Sequence, residues 1–141
     1  MDTYLPATRL MREKVDRLQA EVAKLPQYEP QTKHYFHGGM YCREVYRDAG
    51  VLVVGKVHKK EHFYLIVSGV VMVNDGNPIE APYLMMSKPG TKRAVLSLTP
   101  VTCMTFHRTD ATTVEEAESE LVEDEPSLYL PGNKLRQEVL L

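Results

Sequence analysis

A chain of 141 residues has room for one domain, and its 43% hydrophobic and 26% charged residues are typical of a soluble globular protein. The net charge of −2 argues against a nucleic-acid partner, because nucleic-acid binders usually carry a concentrated basic surface. No apolar run approaches the roughly 18 residues that cross a bilayer, and the first residues lack a secretion signal, so we expect no membrane partner. Without a signal, Cys42 and Cys103 are expected to stay reduced in the core.

The first segment, residues 1–32, predicts a helical arm. From Thr8 to Leu25 the apolar residues step by four, three, four and three positions, which places them on one stripe, and Pro26 ends the run. Such a stripe suits a helix that lies on its own domain, and it equally suits a helix that packs against symmetry mates as in a short coiled coil. The stripe consists of Met11, Val15, Leu18, Val22 and Leu25.

Residues 33–109 predict a β-barrel. Short runs rich in Val, Tyr and Thr alternate with turn residues, and no segment of helical period interrupts them, which excludes a βαβ architecture. The fold class is therefore mainly β, a sandwich or barrel with a helix on either side. The predicted strands are His34–His37, Tyr41–Arg47, Val51–Val57, His62–Val67, Val70–Val73, Ala81–Met86, Ala94–Leu98 and Thr102–His107.

Residues 110–141 predict a short acidic helix followed by a tail. Thr112 and Thr113 each precede a glutamate by three residues, which fits a capping box at a helix start. Seven of the eleven residues from Glu115 to Glu125 are acidic, a composition usual for a solvated face. Beyond Pro126 the tail is too apolar for a free end, so we expect it to dock on another surface.

The stretch from Gly55 to Gly69 predicts a polar pocket. Residues two or four apart on a strand face the same way, so Lys56, His58, His62 and Tyr64 are expected to point inward. Burying a lysine and two histidines without partners is unfavourable, and a ligand pocket would explain their presence.

This stretch, GKVHKKEHFYLIVSG, resembles the first motif of the cupin superfamily, and the later SKPGTKR resembles the second. The resemblance implies a single antiparallel β-barrel of the jelly-roll kind. In metal-dependent cupins two histidines, a glutamate and a late histidine hold one divalent ion. By the resemblance, Lys56 stands at the first histidine, His58 at the second, His62 at the glutamate and Arg93 at the late histidine. Two of these four ligand positions, those of Lys56 and Arg93, hold cations that cannot coordinate a metal while charged. We therefore expect no metal cofactor; a divalent ion, if one binds, would be held by His58 and His62.

His107, at the end of the last predicted strand, could add a third imidazole, although a histidine at a strand end more often lies at the surface. The set Lys56, His58, His62 and Arg93 makes a better anion site, with a hydroxyl contact from Tyr64. The alternative is that these cations pair with inward acids and form a satisfied polar core. Glu44 and Glu80 are the candidate acids for that pairing.

A second resemblance covers roughly Tyr35 to Val122 and is to small phage-encoded proteins with a cupin-like barrel; it rests on GKVHKKEHFYLIVSG, APYLMMSKPGTKRAV and TFHRTDATTVEEAESELVE. It implies a viral origin. The predicted function is a non-enzymatic virion or assembly component that forms homo-oligomers, contacts other virion proteins, and resides in the virion or host cytoplasm. The alternative is a cupin that binds a small anion such as a sugar phosphate, nucleotide or carboxylate, including enzymes of the epimerase or isomerase type.

Overall fold

A computed structural model describes residues 4–74, 76–123, 129–130, 134–135 and 138–140, with side chains described for 11–74 and 76–123. Two helices and a series of short strands alternate with tight turns. The elements are α1 (Tyr4–Val22), β1 (Gln31–His37), β2 (Met40–Arg47), β3 (Val51–Val54), β4 (His62–Ser68), β5 (Val70–Val73), β6 (Pro78–Glu80), β7 (Tyr83–Ser87), β8 (Ala94–Ser97), β9 (Val101–Arg108), α2 (Val114–Leu121), β10 (Tyr129–Leu130), β11 (Lys134–Leu135) and β12 (Glu138–Leu140).

Two five-stranded sheets make up the body of the molecule. The first sheet has the order β1-β2-β9-β4-β7, the second has the order β12-β3-β8-β5-β6, and β10 pairs with β11. The strand pairs within both sheets are antiparallel. The predicted mainly-β antiparallel sandwich with two helices is therefore confirmed.

Several strand boundaries differ from the prediction: β1 begins at Gln31 rather than His34, for example, and β6 was not predicted. The run Val51–Val57 leaves the second sheet at Val54, and residues 55–61 form a loop, because the amide of Gly55 makes its hydrogen bond to the Arg93 carbonyl at the end of the neighbouring strand. The run Ala81–Met86 belongs to β7 only from Tyr83 onward, since the chain passes from β6 in the second sheet to β7 in the first.

The space between the sheets is filled at one end by small apolar side chains. Alternation along β9 buries Val101 and Cys103, and each is less than 3% exposed. Cys42 lies on the opposite, outer face of β2, so the two cysteines are free thiols on different sides of the first sheet, and only Cys103 is in the core. This core consists of Val45, Ile66, Val71, Val95, Val101 and Cys103.

Helix α1 lies on the outer surface of the second sheet of its own domain. Val15 and Val22 are buried against Leu52, Val54 and Ala94, so this part of the apolar stripe packs on its own domain, whereas Leu18 of the stripe is 38% exposed. The helix ends at Val22, so Leu25 falls beyond it and is 44% exposed. Neither described helix is long and apolar enough to span a bilayer.

A buried charge fastens α1 to the sheet. The Nζ of Lys92 donates to Asp16 at 2.6 Å and to Gln19, and both partners belong to α1. The Lys92 side chain is 1% exposed, whereas that of Asp16 is 50% exposed.

The second helix begins as the sequence indicates. The hydroxyl of Thr113 accepts a hydrogen bond from the Glu116 amide, which is the N-cap contact expected of a capping box. In the tail, β12 pairs with β3, so part of this segment does dock on the second sheet. The side chains of the apolar tail lie outside the described residues.

Replacing Lys92 with Ala should lower the free energy of unfolding by about 2–4 kcal/mol, because Gln19 stays buried without its ionic partner. Urea denaturation monitored by circular dichroism measures this change. Lys24→Ala removes the exposed pair between Glu21 of this helix and Lys24, just beyond its end, and should change stability by less than about 0.5 kcal/mol. Equal losses in the two variants would contradict the anchoring role of Lys92.

Candidate functional site

Three histidines meet inside the sandwich, at the end opposite the small apolar core. His62 is the first residue of β4, His107 lies near the end of β9, and His58 comes from the loop of residues 55–61. Their ring centroids are 4.2 Å apart for His58 and His62, 4.5 Å for His62 and His107, and 5.2 Å for His58 and His107. One ring nitrogen from each lies within 4.8 Å of the other two.

His107 reaches this cluster through strand register. Buried residues alternate along β9, and His107 follows Cys103 and Thr105 on the inner face with 4% exposure. The expectation that a histidine at a strand end lies at the surface is wrong for this residue, because β9 continues to Arg108 and α2 covers its end.

The loop holds His58 by backbone contacts rather than by strand alternation. The carbonyl of His58 accepts from the Gly90 amide at 3.0 Å, and the amide of Lys59 donates to the Leu121 carbonyl at 2.7 Å. His58 also forms an isolated bridge with Val122. The segment that follows α2 therefore helps to place this imidazole.

Lys56 does not join the histidines. Its Nζ donates to the Glu118 carboxylate at 2.9 Å, on the outside of α2. The prediction placed Lys56 on the inner face of a strand, but residues 55–61 do not form one, so the inward alternation does not extend to it.

Helix α2 closes the end of the sandwich above the histidines. Ala117 and Leu121 are buried against Tyr41, while the acidic side of the helix faces the lysine-rich loop. Lys60 pairs with Glu120 at 2.7 Å, and the Nζ of Lys59 donates to the Ser119 carbonyl at 3.1 Å. The acidic run is thus not only a solvated face, because Glu118 and Glu120 pair with lysines of the loop and so hold α2 against it.

Burial keeps the histidines neutral. It lowers the pKa of His58 to about 3, with a further contribution from the neighbouring His62 and His107. It lowers the pKa of His107 to about 3 as well, and it lowers that of His62, where the positive charge of Arg93 adds to the effect. At neutral pH each ring therefore carries one nitrogen with a lone pair.

The hydrogen bonds leave ligand nitrogens available. Nδ1 of His58 donates to the Lys56 carbonyl at 3.1 Å, which leaves Nε2 unprotonated in the neutral ring. Nε2 of His107 is 2.9 Å from the Thr105 hydroxyl, which can accept its proton and leave Nδ1 free. Nδ1 of His62 is buried and makes no well-aligned hydrogen bond with the described residues.

This set of donors fits a first-row divalent metal. Zinc takes neutral imidazole nitrogens at about 2.0–2.1 Å, so three such ligands lie roughly 3–3.5 Å apart. In the observed cluster the ring nitrogens lie within 4.8 Å of one another, so binding an ion would draw them closer together. His58 and His62, the pair predicted to hold a metal if one binds, lie together in this cluster. The third imidazole is that of His107, which does not stand at any of the four ligand positions implied by the resemblance.

Arg93 and Tyr64 lie next to the cluster, as the sequence predicts. A guanidinium nitrogen of Arg93 donates to the Ser87 hydroxyl, and burial lowers the pKa of Arg93. The hydroxyl of Tyr64 accepts from Arg47 at 3.2 Å. Of the predicted anion-site residues, His58, His62, Tyr64 and Arg93 are together and Lys56 is not.

Arg43 is a site residue that the sequence analysis missed. It pairs in register with the inward-facing Thr105, and its charge contributes to lowering the pKa of His107. Its guanidinium makes no hydrogen bond or ion pair with another residue of the described segments. The alternation of Tyr41, Arg43, Val45 and Arg47 along one predicted strand was the signal for it.

The proposed pairing of these cations with Glu44 or Glu80 does not occur among the described residues. Glu44 lies on the outer face, where it accepts a hydrogen bond from Tyr35 at 3.0 Å, and Glu80 is exposed. The inner face of the first sheet, over β1, β2, β9, β4 and β7, carries no Asp or Glu.

A cavity of about 310 Å³ lies elsewhere, and none of the three histidines lines it. Residues of α1 and of the segment before β8 line it, among them Met11, Arg12, Lys92 and Arg93. Arg93 is therefore shared between the cavity and the surroundings of His62.

No family model matches this chain, and no curated protein matches it. Solved structures do. A putative ethanolamine utilization protein Q from Salmonella typhimurium is 10% identical, with 60% of this chain and 72% of that one covered at a TM-score of 0.50. A cupin superfamily protein from Desulfitobacterium hafniense is 11% identical, with 60% and 82% covered at 0.48. An acetylacetone dioxygenase from Acinetobacter johnsonii is 11% identical, with 56% and 59% covered at 0.48.

At such identities the likeness concerns the fold alone. Together with the two antiparallel sheets, the match at a TM-score of 0.50 shows that the chain shares the fold of that ethanolamine utilization protein.

Acid should destabilise the metal-free protein. His58 and His107 have a pKa of about 3 when folded and 6.5 when unfolded, so the unfolded chain binds more protons between these values. Stability is complete above pH 6.5 and should fall by about 2 kcal/mol per histidine as the pH drops to 5. Urea denaturation in EDTA at pH 7.5 and 5 measures the loss. His107→Gln should reduce this pH dependence, whereas exposed His37→Gln should not; equal slopes would contradict the assignment.

Proposed function

We propose that this protein is a small-molecule-binding cupin that holds a divalent transition metal on His58, His62 and His107 and takes an anionic ligand beside it. The observation that carries the proposal is the convergence of three neutral imidazoles inside the sandwich, on a face without a carboxylate. Each neutral ring also buries a nitrogen lone pair, which a bound ion would use.

The sequence argues against a metal because two cations, Lys56 and Arg93, stand at predicted ligand positions. Only one of them lies near the histidines. Lys56 is directed to Glu118 on the outside of α2, so its charge is paired away from the cluster. Arg93 remains close to His62, and its charge opposes a cation there. An anion bound between Arg93 and the metal would compensate that repulsion, so the metal and the anion favour each other.

The bound ion would supply Lewis acidity toward the oxygen atoms of a ligand. The residues around the histidines determine which ligands can bind beside the ion. Arg43 and Arg93 present guanidinium groups suited to a carboxylate or phosphate, and the pKa of Tyr41 is raised to about 12 by burial, so its phenol stays protonated in the wall. These features favour a small carboxylate or phosphate over a neutral or cationic ligand.

The virion or assembly role predicted from the sequence stays a prediction, because neither the named structures nor the contacts of the described residues bear on it. The binding alternative has a specific site in its favour. An epimerase-type reaction would need an acid/base pair, and the inner face of the first sheet offers imidazoles there but no carboxylate.

The metal site is tested by titrating Zn²⁺ and Co²⁺ into protein stripped with EDTA. Calorimetry should show one ion per chain, and Co²⁺ should give visible absorption bands. His107→Gln should weaken binding by at least about 100-fold, because a direct ligand matters more than the outer partners whose loss costs roughly 10–100-fold. His37→Gln, on the exposed part of β1, is the control. Equal affinities in wild type and His107→Gln would overturn the assignment.

The anion site is tested in the Zn²⁺-loaded protein with acetate, malonate and inorganic phosphate as probes. Arg43→Gln should weaken binding of at least one probe by about tenfold, the loss expected for one charge-assisted hydrogen bond. Its Zn²⁺ affinity should stay equal or rise, since a like charge has been removed. Arg108→Gln, which alters an exposed arginine paired with Asp110, is the control. A loss of Zn²⁺ affinity in Arg43→Gln with unchanged anion binding would contradict this division of roles.

A further inference from the structure

The outer face of the first sheet carries a continuous apolar surface. We define the outer apolar face by Phe63, Leu65, Val67, Leu84, Met86 and Phe106, which lie on the adjacent strands β4, β7 and β9. Leu84 is 57% exposed, Met86 48%, Phe63 44% and Val67 40%.

Strand register arranges these side chains in rows. One row crosses the whole sheet through directly paired positions and contains no charged residue. The row is Tyr35, Cys42, Phe106, Phe63 and Met86. The next row adds Met104, Leu65 and Leu84, with its charges, Lys33 and Glu44, confined to β1 and β2. The face is therefore apolar at its centre and polar toward one side, which is the usual anatomy of a protein interface.

The exposed apolar area is large for a molecule of this size. Large apolar side chains present roughly 150–250 Å² each, so those of the outer apolar face, together with Tyr35 and Tyr46, expose on the order of 600 Å². The largest apolar patch on a typical monomer is about 300–600 Å², and a stable dimer buries about 800 Å² per partner. Within residues 11–74 and 76–123, no helix or loop packs on this face.

We infer that a second copy of this chain covers the outer apolar face. The exposed apolar area of the face, with its polar margin added, approaches the roughly 800 Å² per partner that a stable dimer buries. A surface with no charge at its centre can face an identical surface without like-charge repulsion, and two-fold pairing is the commonest way for a protein to cover such a patch. Strand β7, at the edge of the sheet, adds an unpaired strand edge beside the most exposed residues, Leu84 and Met86.

This dimer differs from the oligomer expected from the sequence, in which the helical arm grips its neighbours. Helix α1 packs on its own second sheet, on the other side of the molecule, and this contact already buries Val15 and Val22 of its stripe. The inference does not depend on the histidine site.

Sedimentation velocity of the full chain at about 1–100 µM tests it. The wild type should sediment as a dimer. The double variant Leu84→Lys, Met86→Lys should be monomeric, with association weakened by at least about 100-fold, because two copies would place four buried charges in one interface. Leu98→Lys, which alters a 40% exposed leucine in the turn after β8, should remain dimeric.

Thiol labelling provides a second readout that does not rely on the variant folding perfectly. Cys42 lies in the row described above, whereas Cys103 is buried in the core. With Ellman's reagent, Cys42 should react slowly in concentrated wild type, faster on dilution, and fastest in the double variant. A wild type that is monomeric at 100 µM, or a dimer unaffected by the double variant, would overturn the inference. Concentration-independent protection of Cys42 would also overturn it, because a segment of the same chain would then cover the face.

Discussion

The burial of three imidazoles with no acid on the same inner face is the constraint that organises this molecule. A buried histidine can be charged only beside a compensating anion, and the first sheet offers none, so all three rings stay neutral and retain lone pairs. Neutral rings in turn need hydrogen-bond acceptors for their N–H groups. The Lys56 carbonyl and the Thr105 hydroxyl meet this need for His58 and His107.

The cover over this cluster follows from the same constraint. Water must be kept from the rings for burial to shift their pKa, and α2 does this with Ala117 and Leu121 on its inner side. Its outer side carries the glutamates that pair with Lys56 and Lys60. These exposed pairs contribute little individually, yet they fix the loop that bears His58 relative to the helix. The acidic helix and the lysine-rich loop thus together cover the three histidines.

Much of the fold could be predicted from the sequence because short alternating strands and turn residues carry local information. The site could be predicted only in part. Residue alternation placed His62 and Tyr64 on one face, and β4 bears this out, but extending the alternation to Lys56 failed where the chain leaves the sheet at Val54. Alternation along β2 indicates that Arg43 shares a face with Val45. That Arg43 comes to lie near His107 depends on the pairing of β2 with β9, a contact between distant segments that no local pattern specifies.

The central claim, that three imidazoles inside this antiparallel sandwich hold one metal ion, is tested most directly by X-ray absorption spectroscopy of the Zn²⁺-loaded protein. The account predicts three imidazole nitrogens at about 2.0–2.1 Å, with the remaining scattering from oxygen. His107→Gln should show one imidazole fewer. Fewer than three imidazoles in the wild type, a sulfur neighbour near 2.3 Å, or an unchanged spectrum in His107→Gln would contradict it.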